Sequence, residues 1–268
     1  MKTIGRSFLM AFSGYSMSPK SSMDRTKENC GFILIFIPLI GAIICVILNR
    51  WAVLYPYACD FQILPAVVGA VVPTILSAGA HLDGFFRTTD ALSSHKIRED
   101  KLKILREDAH GGYSSIMICI CYFMVAIGIW SEMPIDGIFV IAFGYVISRA
   151  LYGISILTMK HASYDGAPGK IDAYVPDSKV AVWVQVLINL AYIGISAYLM
   201  YNIACTYSVP KPSVAIACLV GAAVTYVYYL VISYRNFGGV TEESGGFFVM
   251  LCEVVIPIAA LTAFKSPF

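Results

Sequence analysis

Seven apolar segments of membrane-crossing length leave this chain few folds to adopt. They run roughly Gly31–Leu48, Phe61–Ala80, Ser115–Trp130, Ile135–Leu157, Val180–Met200, Val214–Tyr234 and Gly246–Phe264. A helix needs about 20 apolar residues to cross ~30 Å of hydrocarbon. In lipid the backbone must satisfy its own polar groups, which an α-helix does within one segment. The expected fold is therefore all-α: a polytopic transmembrane helical bundle of about seven spans, forming one integral membrane domain over residues 1–268. The third segment is the shortest. The segments are rich in Gly, Ala and Ser, which let helices approach closely. Pro38, Pro65, Pro73 and Pro257 interrupt four of them.

Composition removes the competing classes. Hydrophobic residues make up 58% of the chain and charged residues 13%, against about 25% charged in a typical soluble domain. A formal net charge of +2 offers no basic field for nucleic acid. Most of the eight cysteines sit inside apolar runs, with no CxxC and no Cys/His spacing suited to zinc. Residues 1–30 carry Lys2 and Arg6 ahead of a short apolar run, Phe8–Phe12, and are expected to form a cytoplasmic or interfacial segment.

Lysine and arginine set the expected orientation. The N-terminal segment holds Lys2, Arg6, Lys20, Arg25 and Lys27. The connection after the second segment holds Arg87, Lys96, Arg98, Lys101, Lys103 and Arg106. Lys160, Lys170, Lys179 and Arg235 fall on the same side, and only Arg50, Lys211 and Lys265 on the other. The bias predicts the N-terminus in the cytoplasm and the C-terminus outside. It places the long polar connections, including the motif loop at 81–114, at the cytoplasmic face of a cell membrane.

Those connections carry the residues suited to chemistry. Asp83 and Asp90 are seven residues apart, on one helical face two turns apart. Two carboxylates at a membrane surface can hold Mg²⁺, which prefers oxygen ligands and bridges to substrate phosphates; helix capping and a solvated face account for the same acids. Lys96–Asp108 alternates in sign and reads as an amphipathic helix with Leu102 and Leu105 on its apolar side. In Asn236–Gly246, four glycines flank Thr241, Glu242 and Glu243, which suits either backbone approach to a phosphate or a turn between helices. Ser163–Lys170 is a weaker Gly-rich loop. Arg149 lies inside the fourth segment, where a cation either faces the bundle interior or snorkels to the surface. Glu253, in the seventh, is its candidate partner.

Together these motifs resemble the cobalamin synthase family (adenosylcobinamide-GDP ribazoletransferase). The resemblance rests on His81-Leu-Asp-Gly-Phe-x-x-Thr-x-Asp90-Ala-Leu-Ser-Ser-His and continues through Arg98-Glu-x-Lys-Leu-x-Ile-Leu to Gly111. It returns at Ser148-Arg149-Ala, at Phe237-Gly-Gly-Val-Thr-x-x-x-Gly, at Leu-Cys-Glu253 and at Pro38-Leu-Ile-Gly41. It implies a membrane enzyme that joins adenosylcobinamide-GDP to α-ribazole, or its 5′-phosphate, and releases GMP with Mg²⁺. It implies Asp83, Asp90 and Glu243 as catalytic groups and Asp83, Asp90, Glu107 and Glu243 as metal ligands. His81, Gly84, Arg149, Gly238, Gly239 and Thr241 would contact substrate. The implied partners are the two small-molecule substrates and the lipid bilayer, with a second copy of the chain or other corrin-pathway enzymes also open.

The chain departs from the family pattern where charge matters. Arg87 stands where the family has Asp, at i+4 from Asp83 and i−3 from Asp90, so it is expected to pair with both. A +2 ion ~6 Å from a guanidinium at effective ε of 20 feels about 5 kcal/mol of repulsion, an upper-range value. Lys103 replaces an acid, Glu107 lengthens an Asp, and Glu242 replaces a glycine. An inactive member serving as a non-catalytic membrane subunit is one alternative. A CDP-alcohol phosphatidyltransferase-like enzyme is another, although Asp83-Gly84-Phe-Phe-Arg87 matches only half of that motif. A transporter would need paired broken helices and midplane charges, and only Arg149 and Glu253 fit.

Overall fold

A computed structural model of the chain describes residues 2–18, 23–58, 63–106, 113–163, 170–206 and 211–266. Twelve α-helices occupy them: α1 (Lys2–Tyr15), α2 (Lys27–Cys30), α3 (Ile37–Ala58), α4 (Ile63–Leu76), α5 (Ala80–Ser93), α6 (Arg98–Arg106), α7 (Tyr113–Glu132), α8 (Ile135–Ile141), α9 (Gly144–Thr158), α10 (Lys179–Thr206), α11 (Pro212–Phe237) and α12 (Glu242–Lys265). Short 3-10 turns cover Ile33–Ile35 and Lys170–Tyr174. Among the described residues there is no strand, only an isolated bridge between His161 and Val240. The fold is the expected all-α bundle.

Each apolar segment carries a helix, but they are not equal. Among the described residues, five stretches are long and apolar enough to cross a membrane: Ile37–Leu54, Ile135–Thr158, Lys179–Thr206, Pro212–Phe237 and Glu242–Lys265. A sixth is reached only if the bent pair α4–α5 is counted as one. The apolar part of α7, Ile116–Glu132, is shorter than a full span.

The second segment differs most from expectation. Instead of running to Ala80 it ends at Leu76, and the chain turns by 91° into α5. Pro73 and Gly79 weaken the helix on either side of the break. Pro73 removes a donor inside α4. Ala78 and Gly79 then take left-handed conformations, φ 51° and 68°. The turn's carbonyls are satisfied at once: Thr74 O accepts from the Gly79 amide at 3.0 Å, and Pro73 O accepts from both the Ser77 amide at 3.0 Å and the Ser77 hydroxyl at 2.9 Å. The connection after this segment is thus not a loop at its start. It holds α5 and α6, with Leu102 and Leu105 of α6 buried as the amphipathic reading required.

The turn lays α5 across the N-terminal half of α12. The two backbones come so close that a Cβ on Gly84 would lie 2.7 Å from Glu243 O and 3.1 Å from Gly246 Cα. Only glycine fits there. The α5–α12 crossing brings the His81 motif against the Thr241 motif, about 160 residues away in the sequence.

Candidate active site

Local chemistry starts α12 at a fixed place. The Ser244 amide donates to Thr241 Oγ1 and the Thr241 amide to Ser244 Oγ, both at 3.0 Å, a reciprocal capping box. Glu242 and Glu243 therefore fall in the first turn, where the helix dipole favours negative charge. Gly238 ends α11 in the left-handed conformation, φ 78°. The chain then pairs with the segment just after α9: Val240 N donates to Lys160 O at 2.9 Å and Ala162 N to Val240 O at 3.0 Å.

A cavity of about 430 Å³ opens at the α5–α12 crossing. His81, Asp83, Gly84 and Arg87 of α5 line one wall, and Glu242, Glu243 and Gly246 of α12 another. The N-terminal segment closes a third with Met10, Ser13, Gly14, Tyr15 and Arg25, joined by Tyr174 from the 3-10 turn after α9.

Two charge clusters organise these walls. On α5, Arg87 Nε donates to Asp83 Oδ2 at 2.8 Å, and Arg87 Nη1 reaches Leu105 O on α6 at 3.3 Å. Opposite, Glu242 Oε1 accepts from the Tyr15 hydroxyl at 2.8 Å and the Tyr174 hydroxyl at 3.0 Å. Arg25 Nη1 lies 3.3 Å from Glu242 Oε2 and 3.3 Å from the Tyr174 oxygen. Burial, and then the Glu242 charge, pushes both tyrosine hydroxyls above their ordinary range, so they stay protonated donors. Tyr174 and Glu242 beside it hold the Arg25 guanidinium even more firmly in its charged form.

The cavity gathers His81, Asp83, Gly84 and Glu243 of the residues singled out in the sequence. His81 is buried there, and its Nε2 has no hydrogen-bond partner among the described residues. Asp90 lies two turns along α5, outside the lining. Glu107 falls outside the described residues. Gly238 and Gly239 shape the turn and the bridge rather than the cavity wall, and Thr241 is spent on the cap. Arg149 is away from the lining and fully buried. Its Nη2 meets Glu253 Oε1 at 2.9 Å and Ser77 Oγ at 3.2 Å, and its Nη1 meets Tyr145 O at 3.2 Å. The Arg149–Glu253 pairing is as expected from the sequence.

The expected ion site does not assemble from the described residues. No group of three His, Cys, Asp or Glu among them is placed to hold a metal. Asp83 and Glu243 share the cavity, but Asp83 is engaged by Arg87 and Asp90 is not among the lining residues. Sequence reasoning missed Tyr15, Arg25 and Tyr174 as cavity residues. The signal available was indirect: α1 is amphipathic, and an amphipathic helix ahead of the first span has to pack on something.

Comparison with known proteins identifies the family. A profile described as cobalamin-5-phosphate synthase matches residues 7–261. An adenosylcobinamide-GDP ribazoletransferase of Lachnoclostridium phytofermentans is 26% identical over 257 residues, covering 96% of this chain and 94% of that protein. A protein of the same name from Clostridium botulinum strain Alaska E43 is 23% identical over 265 residues, with 95% and 96% covered. One from Acetivibrio thermocellus is 30% identical over 141 residues, about half of each chain. No solved structure matches. The profile spans both sides of the α5–α12 crossing and every residue that lines the cavity, and the chain belongs to the cobalamin-5-phosphate synthase family.

Proposed function

We propose that this chain is an adenosylcobinamide-GDP ribazoletransferase whose reaction takes place in the α5–α12 cavity. The observation that carries the reading is the convergence of His81, Asp83, Gly84 and Glu243 on one cavity from two distant segments. The ribose hydroxyl of α-ribazole attacks the phosphorus attached to the cobinamide arm. A new P–O bond forms, the P–O bond to GMP breaks, and GMP leaves. Phosphoryl transfer of this kind is accelerated chiefly by positioning and by neutralising charge.

The chain's own residues suit those tasks. Glu243, on the wall beside Gly84, takes the proton of the attacking hydroxyl. Arg25 and Arg87 supply fixed positive charge on two walls. Arg87 also holds Asp83, so the Mg²⁺ dependence implied by the resemblance is weakened here, and the guanidinium carries part of the compensation. By the distribution of lysine and arginine, the cavity faces the cytoplasm from the plasma membrane.

The test is turnover of nanodisc-embedded protein given adenosylcobinamide-GDP and α-ribazole, titrated with Mg²⁺ and with EDTA, beside Arg87→Asp. Equal amounts of corrinoid product and GMP from the natural chain support the reading, and Arg87→Asp should turn over more steeply with Mg²⁺. The Arg87–Asp83 pair favours one second reading, a family member switched off at this site. Activity confined to Arg87→Asp would establish it.

A further inference from the structure

The Glu242 carboxylate sits in a nest made only of donors. Two phenol hydroxyls and one guanidinium converge on it: Tyr15 at 2.8 Å, Tyr174 at 3.0 Å and Arg25 at 3.3 Å. A third phenol, Tyr152, stands 3.3 Å from the Tyr15 oxygen. Tyr15 and Tyr174 are both nearly fully buried, so their hydroxyls are fixed in place by packing rather than free to turn to water. The nest opens on the 430 Å³ cavity, within the size range of ligand pockets (about 300–1,000 Å³).

Such a set is built for an oxyanion. Phenol and guanidinium groups pointed at one place offer hydrogen bonds and positive charge to carboxylate or phosphate oxygens alike, and charged acceptors make the stronger bonds. The nest draws its donors from three separate parts of the chain: the end of α1, the segment before α2 and the turn after α9. Among the described residues, its one anion comes from the first turn of α12. That turn is set by the Thr241–Ser244 box and not by Glu242, so the carboxylate can leave without unwinding the helix.

We propose that Tyr15, Tyr174 and Arg25 form a phosphate-recognition site which Glu242 occupies as an internal stand-in, and which the diphosphate of a soluble nucleotide substrate takes by displacing it. The proposal rests on reading the cavity as the seat of the transfer reaction, and it names the contact the diphosphate makes there. Ligand binding then carries a toll, the displacement of Glu242, that a variant lacking the carboxylate does not pay.

The experiment uses the full chain in phosphatidylcholine nanodiscs and inorganic pyrophosphate as the probe, with binding read by calorimetry. Glu242→Ala should bind pyrophosphate at least tenfold more tightly than the natural chain. Adding Tyr174→Phe or Arg25→Met to Glu242→Ala should reverse most of the gain. Glu243→Ala removes the same charge from the same cavity without emptying the nest, and should gain less than threefold. Glu242→Gln is the second probe should the alanine variant fold poorly. Its amide oxygen still accepts from the tyrosines, so an intermediate gain that again needs Arg25 is expected. The proposal is overturned if Glu242→Ala binds no better than the natural chain, if its gain survives loss of Arg25 and Tyr174, or if Glu243→Ala matches it. A tenfold loss of pyrophosphate binding on adding phosphatidylglycerol would give the site to a lipid headgroup and overturn the assignment to a soluble diphosphate. Transfer activity is assayed separately. Turnover without the Glu242→Ala gain refutes the stand-in alone, and the gain without turnover refutes the reaction alone.

Discussion

Replacing Arg149 by methionine would strand the Glu253 carboxylate in the middle of the bundle. The two side chains are 0% and 5% exposed and meet at 2.9 Å. Arg149 also reaches Ser77 Oγ, whose hydroxyl caps Pro73 O at the turn from α4 into α5. One ion pair thus joins α9, α12 and the bend that aims α5 at the cavity. Breaking a buried pair by removing one partner costs roughly 3–5 kcal/mol, because the other charge is left uncompensated, while exchanging both for apolar groups of similar volume is often neutral or better. Arg149→Met and Glu253→Leu should each lose about 3–5 kcal/mol, and the double variant far less than their sum. Equilibrium unfolding in mixed micelles, run as a double-mutant cycle, measures the coupling. Single losses under about 1 kcal/mol, or additive losses in the double variant, would refute the claim that this pair holds the bend.

Three further outcomes follow from the same geometry. Gly84→Ala should cost about 1–3 kcal/mol and abolish turnover, because its Cβ would stand 2.7 Å from Glu243 O and force α5 and α12 apart; unfolding and activity measured together check it. Asp83→Asn should change Mg²⁺ affinity less than twofold, since Asp83 is already engaged by Arg87, and a large loss by calorimetry would contradict the pairing. The raised hydroxyls of Tyr15 and Tyr174 set a pH limit. Below the ordinary tyrosine range near pH 10 both states keep the proton and stability is unaffected. Above it the unfolded chain loses the proton while the folded chain retains it, so stability should fall as pH rises beyond about 10. Tyr15→Phe/Tyr174→Phe should flatten that fall in a series of unfolding measurements.

Much of the architecture was legible because lipid imposes a one-dimensional rule. A run such as Val214–Tyr234 has to be a helix, and it is one. The second segment escaped that rule. Pro73 signalled a break, but the positive φ at Ala78, a residue with no preference for that conformation, follows no local pattern. The site was half legible. His81, Asp83, Gly84 and Glu243 belong to motifs of fixed spacing, and the Arg87–Asp83 pair follows from i,i+4 geometry. Tyr15, Arg25 and Tyr174 carry no pattern of their own. They matter because α1 and the turn after α9 fold over the crossing; the amphipathic α1 signals that it packs on something, but not on what. Arg149 illustrates the converse. The sequence left it either facing the bundle interior or snorkelling to the surface, and the bundle buries it against Glu253.

The central claim is that the α5–α12 cavity is where the transfer occurs. Its most direct measurement is single-turnover release of GMP from adenosylcobinamide-GDP on adding α-ribazole, in the natural chain and in Glu243→Gln, with pyrophosphate affinity measured in both. The account predicts GMP and corrinoid product in equal amounts from the natural chain. In Glu243→Gln the rate should drop a hundredfold or more, within the ~10²–10⁴ range of acid–base contributions, with pyrophosphate affinity within threefold. Undiminished turnover in Glu243→Gln would contradict the placement of the reaction at this cavity.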